Sequence, residues 1–245
     1  AANRGARTLA LTNVVGSTAA RVCDDALFIR AGPEIGVAAT KTFSSQVAVL
    51  ALLAERISED VTGEVHPERE SLLRALERLP DHVEETLSRS TAEALAPQFR
   101  DRDEQFFIGR GVGYPVALEG ALKFKEITYE HAEGFAAGEL KHGPLALVTS
   151  DTTVFAVFTG RHDEKTLKNV EEVRSRGAPV VAIAAESASE IAEAADEFLP
   201  IPDTHPVAAG LLANVQLQLV SYRVADLLGR SIDKPRNLAK SVTVE

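Results

Sequence analysis

The chain has 245 residues, 45% apolar and 25% charged, with a formal charge of -10 and a pI of about 5.2. That size and composition fit globular material with a sizeable core, as one large or two smaller domains, and the acidic balance argues against a nucleic-acid or anionic-membrane surface. No run of 18 apolar residues predicts a membrane span, the opening residues carry no signal-peptide pattern, and one cysteine, Cys23, leaves neither an internal disulfide nor a zinc cluster.

In chain order, "TLALTNVV" reads as a buried strand from Thr8 to Val15, and the preceding "AANRGA" as a helix end with a Gly turn. The chain contains no methionine, so it is expected to begin inside an α/β unit, with removal of the initiator as the other reading. "STAARV" is a short helix with Ser17 as N-cap, and Cys23 reads as a small core residue. "DALFIRAG" is a second strand. From Glu34 to Ile57 apolar residues fall at helical spacing, which predicts a long core helix. Residues 58–103 are charged and helical, with Pro67 near one start and Pro80 as a break. They read as a connector between two α/β domains.

The second domain opens with a strand from Phe106 to Gly109, a Gly-rich turn, and a helix beginning near Pro115. A loop and "AGELKHGPLAL" follow. Then come the strand-like runs "TVFAVF", "PVVAIAA" and "EFLPIP", with the helices "EKTLKNVEEVRSRG" and "SEIAEAADE" between them. A long helix, "HPVAAGLLANVQLQLVSYRVADLLGR", closes the pattern. Strands alternating with helices predict an α/β fold with parallel sheets covered on both faces. Ligands of such sheets sit beyond the carboxyl ends of strands, which places "GRGVG" at a pocket mouth. A tight turn with no ligand fits the same glycines.

Three stretches carry candidate chemistry. On the helix "ALEGALKFKEITYE", Ala117, Leu118, Ala121, Leu122, Phe124 and Ile127 form a wide apolar arc. Glu119, Lys123, Glu126 and Glu130 fall in a narrow strip opposite, which lines either a polar cavity or a salt-bridged solvent edge. Lys125 points into the apolar arc. His142, before Gly143-Pro144, is held in a rigid loop, as a proton shuttle or as a surface histidine. Lys240, six residues from the end, is a solvated tail lysine or, if desolvated, a nucleophile toward a carbonyl. The remaining histidines show no spacing for a metal site, so none is predicted.

"GRGVGYPVALEGALKFKEITYEHAEGFAAGELKHGPLAL" and "DKPRNLAKSVTVE" resemble the isomerase half of the glucosamine-6-phosphate synthases, the glutamine–fructose-6-phosphate amidotransferases. "RAGPEIGVAATKTFSSQ" resembles that family's first sugar-isomerase (SIS) domain near its sugar pocket. The resemblance implies two flavodoxin-like SIS domains. Residues 1–63 would be the end of the first, truncated at its N-terminus. Residues 64–230 would be the connector and the second, and residues 231–245 a catalytic lid tail. It implies that Lys240 forms a Schiff base with fructose 6-phosphate, that Glu126 moves a proton between C1 and C2, and that His142 helps open the sugar ring. Lys123, Val37, Ala39 and Ala239 would contact substrate. Ala39 stands where the family usually has serine, which puts one hydroxyl contact in doubt. No cofactor or metal is implied. A glutaminase domain supplying ammonia and the family's phosphate loop are not in this sequence. A cytoplasmic homodimer is implied, because the His142 equivalent reaches the neighbouring subunit. Two alternatives remain: a stand-alone SIS-domain aminosugar-phosphate deaminase or isomerase, and a sugar-phosphate-sensing SIS module.

Overall fold

The structure is a computed structural model and describes residues 2–102 and 104–240. Contacts divide the chain into two compact units, Ala1–Pro67 and Glu68–Glu245.

In the first unit, β1 (Leu9–Thr12) runs into α1 (Thr18–Val22), which returns to β2 (Asp25–Phe28). The strands pair in parallel, Leu9 opposite Asp25 through Thr12 opposite Phe28. Ser17 caps α1 as expected, its Oγ accepting from the Ala20 amide at 3.3 Å. The strand expected to reach Val15 stops at Thr12. Beyond it the Asn13 side chain donates to the Gly32 carbonyl and accepts from the Ala31 amide, at 2.7 and 2.9 Å. Val14 and Val15 are exposed, and Cys23 is only half-buried. The expected core helix also starts later than its apolar pattern, as α2 (Lys41–Thr62). Glu34, read as its first residue, instead caps it from a distance. Its Oε1 accepts from the Thr40 amide at 2.9 Å and its Oε2 from the Thr42 hydroxyl at 2.7 Å. No residue of α2 is fully buried. Among the described large apolar and alanine side chains of this unit only Ala10 and Ile29 are buried, because two strands provide too little surface to cover a 22-residue helix.

The second unit begins with helices α3 (Arg69–Glu77), α4 (Leu79–Arg89) and α5 (Ala92–Leu95). Pro80 breaks the path between α3 and α4 by falling in the first turn of α4, where its missing N–H costs nothing. A five-stranded sheet follows: β3 (Glu104–Gly109), β4 (His131–Ala136), β5 (Thr152–Val157), β6 (Val180–Ala185) and β7 (Glu197–Ile201). The connecting helices are α6 (Gly113–Thr128), α7 (Asp163–Arg174) and α8 (Ser189–Ala194), and α9 (Pro206–Leu227) follows the last strand. The order is β4-β3-β5-β6-β7, all parallel, the doubly wound flavodoxin-like arrangement. β4 lies in the segment read as a loop. It is an edge strand with one fully buried residue, Ala132, and lacks the apolar run that marks its neighbours.

Alternation along the strands sorts side chains to two cores. Phe107 and Phe155 stack at 4.7 Å with an interplanar angle of 14°, and Phe124 of α6 and Leu212 and Leu217 of α9 close over them. Phe106, Ile108, Val154 and Ala156 face the other way, against Val170 and Val173 of α7. The Gly-rich turn serves this packing. A Cβ on Gly109 would lie 2.3 Å from the Gly113 carbonyl oxygen, and one on Gly113 would lie 2.8 Å from the Val157 carbonyl. Only glycine lets α6 start this close to the sheet.

Candidate active site

α6 carries the polar strip, and the strip turns inward. Lys123 is 4% exposed. Its Nζ lies 2.6 Å from Glu126 Oε2 and 3.4 Å from Glu119 Oε1. The solvent-edge reading of these residues is therefore wrong for Lys123: the ammonium is buried between two carboxylates one turn to either side. The approach to Glu126 is a charge contact without hydrogen-bond alignment, so that buried oxygen keeps no hydrogen-bond partner. Burial pushes the Glu119 carboxyl above the ordinary carboxylate range. Lys123 opposes the shift and Glu126 adds to it.

The expected apolar arc is only partly covered. Ala117, Ala121, Phe124 and Ile127 are buried, but Leu118 and Leu122 are 42% and 41% exposed. With Tyr114 and Lys125 they form an open strip along α6. The helix meets β4 at this side, where Gly134 passes so near that a Cβ would lie 2.8 Å from Leu118 Cα.

His142 ends a 3-10 turn, Ala137–His142. Its side chain is 75% exposed, with Nε2 4.0 Å from Glu139 Oε2. Lys240 is exposed, as is Ala239 before it. Residues 241–245 of the expected tail lie outside the described residues. Val37 and Ala39 are half-buried in the irregular segment before α2, in the first unit. Lys123 and Glu126 are thus brought together, while His142 and Lys240 stand at the surface of the second unit.

One arrangement carried no signal in the sequence. Tyr129 follows α6 in a left-handed conformation, φ 70°, and holds the tail. The Arg236 amide donates to its hydroxyl at 2.9 Å, and the Arg236 guanidinium sits 4.4 Å from its ring centroid. Arg230 lies 5.2 Å from the same ring and donates from Nε to the Thr128 carbonyl at 3.1 Å. Both cations also suit the negative end of α6. Pro235 is buried beside this clamp's Arg236. The tail is thereby fastened one turn beyond Glu126. An aromatic residue just past a polar strip, with two arginines about a hundred residues later, is too sparse a pattern to read as a contact.

A cleft of about 260 Å³ opens at the carboxyl ends of β3 and β4, with Arg110, Tyr114, Glu139 and His162 in its wall. Arg110 is committed there to Asn169 Oδ1 at 3.0 and 3.1 Å. Among the described residues no group of three His, Cys, Asp or Glu is placed to hold a metal ion. No helix among them is long and apolar enough to cross a membrane.

The chain is similar to known proteins over its whole length. It is 53% identical, across 247 aligned residues, to the glutamine--fructose-6-phosphate aminotransferase [isomerizing] of Halobacterium salinarum, matching 100% of this chain and 41% of that protein. It therefore spans about two-fifths of the curated relatives' length. The C-terminal domain of glucosamine-fructose-6-phosphate aminotransferase from Francisella tularensis superposes with a TM-score of 0.83 at 34% identity, over 93% of this chain and 65% of that one. The glucosamine-6-phosphate deaminase of Thermotoga maritima superposes at 0.74 with 26% identity, over 96% and 66%. The SIS domain model matches residues 1–56 and 98–227. With a parallel doubly wound sheet and that match across most of its length, the chain belongs to the SIS-domain family.

Proposed function

We propose that this chain is the isomerase part of a glutamine–fructose-6-phosphate aminotransferase and makes glucosamine 6-phosphate from fructose 6-phosphate and ammonia. The observation that carries the reading is the buried Lys123–Glu126 pair, on the helix whose end holds the lysine-bearing tail. The name of the Halobacterium salinarum relative supports it.

In this mechanism Lys240 attacks the C2 ketone of the opened sugar, and water leaves as the Schiff base forms. Ammonia displaces the lysine and leaves a C2 imine. Glu126 takes a proton from C1 and returns one to C2, so the ketose imine becomes an aldose amine with no net oxidation or reduction. Lys123, 2.6 Å from Glu126 Oε2, holds that carboxylate in position between turnovers. His142, exposed on its own subunit, acts on ring opening in the site of a neighbouring subunit, which makes the protein a homodimer. Residues 231–245 are the catalytic tail, with Tyr129 as its anchor. Val37, Ala39 and Ala239 contribute backbone and apolar contacts to the sugar. A glutaminase domain of the same protein supplies the ammonia, and the reaction takes place in the cytoplasm. No metal or organic cofactor enters, because the C2 imine itself takes up the electron pair left when C1 gives its proton to Glu126.

The test is borohydride reduction of the full-length protein with fructose 6-phosphate. Peptide mapping should find the sugar on Lys240. Label on another lysine would sink the assignment. The Thermotoga maritima likeness favours one further reading, a deaminase running toward fructose 6-phosphate and free ammonia. Glutamine-dependent product formation separates the two, since a deaminase gains nothing from glutamine.

A further inference from the structure

His142 is exposed, yet the turn that carries it is fixed from below. Ala137 and Leu140, both in that 3-10 turn, are fully buried in the core on the α7 side of the sheet. The turn has two further holds, both polar. At its start the Arg110 guanidinium lies against Gly138 so closely that a Cβ there would come within 2.8 Å of Arg110 Nη2. At its end Lys141, next to His142, places its Nζ 2.7 Å from Glu172 Oε1 of α7. Asn169, one turn before Glu172 and 6% exposed, joins the two holds. Its Oδ1 accepts from Arg110 Nε and Nη2 at 3.1 and 3.0 Å, and its Nδ2 donates to Glu172 Oε2 at 3.1 Å. Only this amide orientation serves both neighbours, since the guanidinium can only donate and the carboxylate can only accept. Arg110, Asn169, Glu172 and Lys141 thus form one line in which each donor faces an acceptor. Directly after His142 the chain turns away through Gly143, at φ 151° and ψ -59°, a conformation suited to glycine.

Stability alone does not explain this line. The Lys141 side chain is 63% exposed, and ion pairs so open to water add little to folding. The buried Ala137 and Leu140 already hold the turn to the core. We propose that Arg110, Asn169, Glu172 and Lys141 are a positioning network for His142, with Glu172 as its hub, and that they set the place and direction in which the imidazole leaves the surface. The inference rests on the ring-opening role given to His142 above. A side chain that works across to another subunit has little packing of its own to aim it, and an error of about 1 Å in its placement costs up to about 100-fold in rate.

Steady-state kinetics on the full-length protein test this, with fructose 6-phosphate beside 5-deoxyfructose 6-phosphate. The second sugar lacks the hydroxyl that closes the ring on C2, so it needs no opening. Glu172→Gln keeps the shape of the side chain and removes its charge. It should lower kcat/KM for fructose 6-phosphate about tenfold and leave that for the open-chain sugar within about twofold. His142→Gln should show the same selectivity with a larger loss. The double variant should be no slower than His142→Gln alone, because the network acts only through that residue. Absence of a loss with Glu172→Gln, or an equal loss on both sugars, overturns the network, as does a double variant in which the two losses multiply. Should His142→Gln slow both sugars alike, the ring-opening reading falls and this inference with it, a result distinct from failure of Glu172→Gln alone. If Glu172→Gln does not fold, Lys141→Met at the exposed end of the line gives the same decision, with Lys141→Arg expected to keep the activity that Lys141→Met loses.

Discussion

Lys123 and Glu126 are set inside a packed unit, on a helix pressed against the sheet and α9, whereas His142 and Lys240 stand in solvent at the margin of that unit. The buried pair is held in place by the same contacts that hold the fold. The exposed pair is placed by a rigid 3-10 turn in one case and by the Tyr129 clamp in the other. The difference teaches how such a site divides its tasks. A group whose position must stay fixed belongs in the core, where its partner is fixed too. A group that must reach a substrate, and then let it go, belongs at the surface on a short anchored segment.

Substitutions in the exposed half should therefore remove activity and spare stability, and those in the buried half should touch both. Lys240→Arg keeps the charge but loses the amine chemistry, because guanidinium stays protonated. Product formation should fall by several orders of magnitude while the thermal midpoint stays within a degree or so. Normal product formation by this variant would break the comparison at its exposed end. Glu126→Gln should cost at least ~100-fold in rate with substrate binding kept, and solvent exchange of the C1 hydrogen should vanish with it. Lys123→Met leaves two carboxylates facing each other without their cation. Chemical denaturation should show a loss of about 2–3 kcal/mol, toward the low end for broken buried pairs because Glu126 is partly exposed.

The smallest effect concerns pH. Burial raises the Glu119 carboxyl above its ordinary value of 4.5, so the folded chain holds that proton at pH values where the unfolded chain has released it. Stability from this group is then highest in acid and falls as pH rises from 4.5 through the raised folded value. Glu119→Gln should remove that decline, so denaturation curves of the two proteins should converge toward neutral pH or cross in favour of the variant. Parallel curves across this window would show that Glu119 titrates normally.

Much of the fold was readable from the strand and helix periods, because β3, β5 and β6 are buried on both faces and carry unbroken apolar runs. β4 was not readable. An edge strand needs little apolar surface, and its Gly134 reads as a break although it serves the close approach of α6. The onset of α2 was misplaced because Glu34 keeps helical spacing yet acts as a side-chain cap seven residues ahead of Lys41. At the candidate site the spacing of Glu119, Lys123 and Glu126 was legible, as it follows from 100° per residue. Which way the strip faces was not, since a helix wheel does not know what covers each side. The clamp on Tyr129 joins residues about a hundred positions apart, beyond the reach of any local pattern.

Tyr129 also bears on how the sequence can change. Its φ of 70° is the conformation in which glycine ordinarily ends a helix, and an L side chain there costs about 1 kcal/mol. A designer seeking robustness would write Tyr129→Gly, and the helix end would relax. The same change discards the hydroxyl and the ring that hold Arg236 and Arg230. Melting should show little loss, while turnover falls on the order of tenfold as the tail wanders. The residue marks a place where durability and turnover select for different amino acids, and tyrosine is the one that favours turnover.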